Sequence, residues 1–61
     1  MSEISERGRA MMQTAIDEAY LLALNRYAFE HDLISEEAFR KLQVRIKIDA
    51  ANKINNLKKE G

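Results

Sequence analysis

The side chain best suited to chemistry is His31, set between Glu30 and Asp32. An imidazole beside carboxylates is a metal ligand or a proton-sensing group near neutral pH. One histidine with two adjacent carboxylates lacks the multi-ligand spacing of a structural metal site, however, and this stretch reads as a solvated turn. There is no cysteine, and Ser2, Ser5 and Ser35 stand where helix caps are expected, so the inventory contains no nucleophile and base for a hydrolytic triad. A catalytic pair of carboxylates needs an enclosed pocket, and a two-helix chain encloses none unless assembly creates it. The expectation is a noncatalytic protein without metal or cofactor.

A second group of residues suggests binding. Arg40, Lys41, Arg45, Lys47 and Lys53 could form a phosphate-facing strip, the more so if a dimer set two such segments side by side. Tyr20 and Tyr27 would then offer stacking surfaces to single-stranded RNA. Against this, ten basic residues are balanced by ten acidic ones, which removes the overall field that draws a chain to nucleic acid or to an anionic membrane. The balance conceals an asymmetry. Residues 1–35 carry three basic and six acidic groups, a charge of −3, and residues 36–61 carry seven and four, a charge of +3. The tyrosines are more simply core residues whose hydroxyls reach solvent.

The elements that carry these residues are helices. Proline is absent, the two glycines are Gly8 and Gly61, and long stretches use good helix formers. The one interruption runs from Glu30 to Ser35. Ser35 is a candidate N-cap followed by Glu36 and Glu37, which the helix dipole favours in a first turn, while Asp32 can take the left-handed conformation that ends a helix. Residues 1–61 are therefore expected to form a single domain: helix one over about 5–30, starting near Ser2 or Ser5 and frayed to Arg9 by Gly8, a turn over 31–35, and helix two over about 36–58.

At 100° per residue, Met12, Ile16, Ala19, Tyr20, Ala23 and Tyr27 share one face of helix one, and Phe39, Leu42, Ile46, Ala50, Ile54 and Leu57 share one face of helix two. The expected fold is all-α, an antiparallel two-helix hairpin that closes these stripes on each other. Apolar residues are left over: Val44, Ile48 and Ala51 on helix two, Leu21 and Ala28 on helix one, the latter pair expected on its back. A chain of 61 residues buries only about 60% of its unfolded surface, and with no disulfide or structural metal the supplement is self-association. A dimeric four-helix bundle or larger helical oligomer is expected, with Leu21, Ala28, Val44, Ile48 and Ala51 at an interface with a second copy or a foreign protein.

Around the turn, Asp32-Leu33-Ile34-Ser35-Glu36-Glu37-Ala38-Phe39, with Lys41 and Leu42 following, resembles the helical hairpin of short C-terminal (SHOCT) domains, over about residues 24–46. Asp32 stands where that motif has glycine, and Ala38 where it has the glutamate that would complete a capping box with Ser35. The resemblance implies an oligomerising or interaction module of the kind found in small bacterial, phage and mobile-element proteins, and carries no catalytic residue across. In size and expected architecture alone, the chain also resembles the plasmid regulator Rop, whose paired hairpins bind RNA. The leading expectation is a self-associating regulator, adaptor or inhibitor that docks on a larger protein; the alternative is a dimeric nucleic-acid-binding regulator. With no apolar run near the ~18–20 residues of a membrane span and no signal-peptide pattern, a cytoplasmic location without membrane contact is expected.

Overall fold

The structure, a computed structural model, describes residues 5–59. Ser2, one of the two caps expected for the first helix, lies outside the described residues. Two helices, α1 (Glu6–Glu30) and α2 (Glu36–Lys59), account for the fold, and there is no strand among the described residues. Ser5 caps α1: its backbone is extended (φ −63°, ψ 162°) and its Oγ accepts the Gly8 N–H at 3.0 Å. The Arg9 N–H donates to the Ser5 carbonyl at 2.8 Å. The helix is thus already formed at Gly8, because the cap captures the amide of the residue expected to fray it.

The turn between the helices is held by backbone bonds. Asp32 has φ 58°, the left-handed conformation expected of it. Its N–H donates to the Phe29 carbonyl at 3.1 Å, and the Leu33 N–H donates to the Ala28 carbonyl at 2.8 Å. These are the two bonds of a Schellman motif, which satisfies carbonyls that a helix end leaves free. Ser35 then starts α2, its Oγ accepting the Ala38 N–H at 3.1 Å, with Glu36 and Glu37 in the first turn and Lys58 and Lys59 in the last, where each sign suits the helix dipole.

The helices fold back antiparallel. The Asn25 Nδ2 reaches across to donate to the Phe39 carbonyl at 2.9 Å, and the rings of Phe29 and Phe39 stack at 4.6 Å between centroids and 17° between planes. On α2 the inward stripe is the expected one except for Leu42: Ala50 is buried and Phe39, Ile46, Ile54 and Leu57 are half-buried, whereas Leu42 is exposed. On α1 the expectation fails. The face of Met12, Ile16, Ala19, Tyr20, Ala23 and Tyr27 is exposed, and the side toward α2 carries Met11, Thr14, Glu18, Leu22, Asn25 and Phe29. Leu21 and Ala28, expected on the back, also lie toward α2: Leu21 borders the seam with Ile46 and Ala50, and Ala28 is half-buried beside the turn. The physical reason is that α1 is apolar on most of its sides, so periodicity selects no face; the turn geometry and the phenylalanine pair select it.

The resulting seam is thin and partly polar. Among the described residues only Thr14, Asn25 and Ala50 are buried, and no large side chain is fully buried. Thr14 satisfies its hydroxyl within its own helix, donating to the Ala10 carbonyl at 2.9 Å, whereas the Asn25 Oδ1 makes no hydrogen bond. The hairpin is a slab of 46 × 24 × 8 Å between Cα positions, with a radius of gyration of 14.5 Å against about 10.5 Å for a compact chain of this length.

Two stability measurements check this account. Asn25→Ala is expected to lower the unfolding free energy by about 1–3 kcal/mol in urea titrations at fixed protein concentration, whereas Asn25→Leu, which removes the unpaired oxygen and adds apolar contact, leaves it unchanged or raised. Equal losses in both would contradict the packing described. Asp32→Gly is expected to stabilise by up to about 1 kcal/mol, since glycine adopts a positive φ without steric strain; a destabilised Gly variant would show that the Asp32 side chain itself holds the turn.

Candidate interaction surfaces

Because so little is buried between the helices, most of the large apolar side chains of this chain lie at least partly on its exterior. Met12, Ile16, Tyr20 and Tyr27 on α1 are each more than half exposed, at 51%, 58%, 63% and 57%. They follow one another at helical spacing and so form a continuous line along the side of α1 facing away from α2. The line was visible in the sequence; its outward orientation was not. Tyr27 also packs on His31 with ring centroids 4.1 Å apart, which ties the end of the line to the turn.

A second surface lies on α2. Val44 and Ile48 remain 57% and 49% exposed, Ala51 is exposed one turn beyond, and Arg40, Lys41 and Arg45 rim a shallow hollow around the first two. Val44, Ile48 and Ala51 therefore share an outer face, while Leu21 and Ala28 sit toward the seam, so the five residues expected at one interface fall on two different surfaces. The aliphatic stems of the rimming cations extend the apolar area while their heads stay in water.

The five cations expected to form a strip are not gathered into one. Arg40, Lys41 and Arg45 each pair with a carboxylate one turn away, Glu36, Glu37 and Asp49 respectively. Lys47 lies near Arg26 and Gln43 at one edge of the seam, and Lys53 near Asp17, Glu18 and Asp49 at the other. The cations thus look in three directions, and five acidic groups, Asp17, Glu18, Glu36, Glu37 and Asp49, lie among them. His31, Glu30 and Asp32 are all exposed, and no group of three His, Cys, Asp or Glu side chains suited to hold a metal occurs among the described residues. Open grooves beside the seam are lined by both helices.

Comparison with protein-family models, with curated proteins and with solved structures finds no match. Among the described residues no helix is long and apolar enough to cross a membrane.

The three ion pairs on α2 are exposed and local, so each contributes only about 0.2–0.5 kcal/mol to the helix. Replacing Arg40, Lys41 and Arg45 together by Gln is expected to leave the fold intact and to reduce helicity only slightly by circular dichroism. In a mobility-shift titration against single-stranded RNA, the same triple variant separates the two binding readings. A steep salt-dependent affinity lost in the variant would favour the nucleic-acid alternative, and the dispersed cations predict that no such affinity is found.

Proposed function

We propose that this chain is a noncatalytic protein-interaction module that works as a dimer of hairpins, four helices in all, and regulates, bridges or inhibits a larger protein on which it docks. The observation that carries this reading is the mismatch between apolar and buried surface. Ten large apolar side chains among the described residues are exposed, and none is fully buried. The accessible surface is 5152 Å², whereas a folded monomer of 7.1 kDa is expected to expose about 4,100 Å². The excess is on the order of 1,000 Å², comparable to the ~800 Å² that each partner contributes to a standard protein–protein interface. Each Leu- or Ile-class side chain covered by a partner contributes roughly 1.5–3 kcal/mol, large beside the stability of a seam built on Ala50, Thr14 and Asn25.

Two separate apolar surfaces suit two separate contacts. One can be occupied by a second copy while the other, the Val44 and Ile48 face of α2, stays open to a foreign protein. Nothing in this reading requires a reacting group. The resemblance of the turn to short C-terminal domains agrees with it, as a resemblance confined to about twenty residues. Asp32 takes, at φ 58°, the kind of backbone conformation that suits glycine, the residue the motif has there.

Light scattering on the purified chain tests the reading. A molar mass of two chains at micromolar concentration is the expected result. A folded, helical species with the mass of one chain would contradict it, since the exposed apolar surface would then be stable in water without a second copy.

A further inference from the structure

We infer that the second copy pairs antiparallel through the outer face of α1, about a twofold axis between Ala19 and Tyr20; this rests on the self-association proposed above and specifies its surface and direction. The face is self-complementary in its chemistry. Its middle is the apolar line of Met12, Ile16, Tyr20, Ala23 and Tyr27, all exposed. At 100° per residue, Arg9 and Glu30 fall on the same side of the helix, one at each end of that line. A cation thus marks one end and an anion the other, roughly 32 Å apart along the axis at 1.5 Å per residue.

Laid against its own copy in reverse, the face matches itself. Residues whose numbers sum to 39 come opposite one another: Arg9 meets Glu30 of the second copy, Met12 meets Tyr27, Ile16 meets Ala23, and Ala19 meets Tyr20. Two of these put a large side chain against alanine, the arrangement that lets helices approach and interdigitate. Both ends close with opposite charges. In parallel pairing Arg9 would face Arg9, Glu30 would face Glu30 and Tyr20 would face Tyr20, so like charges would repel at both ends. An unrelated partner would not need the face to carry this reversal symmetry, which is what an interface between identical chains about a twofold axis requires.

The direction of the face also fixes the shape of the assembly. The outer line lies on the side of α1 opposite the seam with α2, so the four helices form a layer in the order α2, α1, α1, α2 and not a square bundle. In this layer the Val44 and Ile48 surface remains uncovered on both copies.

The chain has no cysteine, which makes a directional test direct. An Arg9→Cys chain and a Glu30→Cys chain are mixed, allowed to exchange, and treated with a short thiol-to-thiol cross-linker, with products resolved by mass. Antiparallel pairing predicts predominantly the mixed product, with neither variant cross-linking efficiently alone. Predominantly same-variant products, a statistical mixture, or no product would each overturn the inference. A second arm measures mass by light scattering for the wild type, Ile16→Glu and Ile48→Glu. Loss of the dimer in Ile16→Glu and its retention in Ile48→Glu are expected. The reverse pattern overturns the α1 interface while self-association itself stands; a monomeric wild type overturns both.

Discussion

The whole structure follows from a limit on what two helices can cover. A helix presents a neighbour with about a third of its circumference, and in this chain α1 carries apolar side chains over much more than that. Closing the hairpin covers one side of α1 and necessarily leaves the other in water. The side it covers is the less apolar one, with Thr14, Glu18 and Asn25 among its residues, and the side it leaves carries Met12, Ile16, Tyr20 and Tyr27. The hydrophobic effect is indifferent to which surface does the covering, so the surface left over must be met by another molecule or remain a persistent penalty.

What selects the covered side is local and stereochemical. The Schellman bonds from Asp32 and Leu33, the left-handed Asp32 and the Ser35 cap fix how α2 leaves α1, and Phe29 on Phe39 fixes the rotation of the two helices where they meet. Asn25 then sets the register, because its amide must find the Phe39 carbonyl to be tolerable in a buried site. A polar contact of this kind adds little net stability but penalises every alternative alignment in which the amide has no partner. The hairpin is in this sense specified more by its turn and one asparagine than by a core.

The sequence made the elements legible and the packing only half so. Ser5, Ser35 and Asp32 announced three of the four helix ends through chemistry that acts within a few residues, and the structure has α1 starting after Ser5 and ending before Asp32, and α2 starting after Ser35. On α2 the polar and apolar sides are distinct, so the inward stripe through Ile46, Ala50 and Ile54 could be read from spacing. On α1 two apolar lines compete, and the stronger line pointed outward; nothing in its periodicity says whether the cover is α2 or another chain. A clue was present in Asn25 and Phe29, which lie on the same side and share it with Phe39 only if that side faces α2. The scatter of the cations was likewise unreadable from their order, because their directions depend on helical phase and on carboxylates at a spacing of four.

The central claim is that this hairpin draws its stability from a second copy, and the dependence of thermal unfolding on protein concentration tests it most directly. If folding is coupled to association, mass action requires the midpoint followed by circular dichroism to rise steadily as the concentration is increased over about two orders of magnitude. A midpoint that stays constant over that range, with a cooperative helical transition, would mean that the single hairpin is stable by itself and would contradict the account.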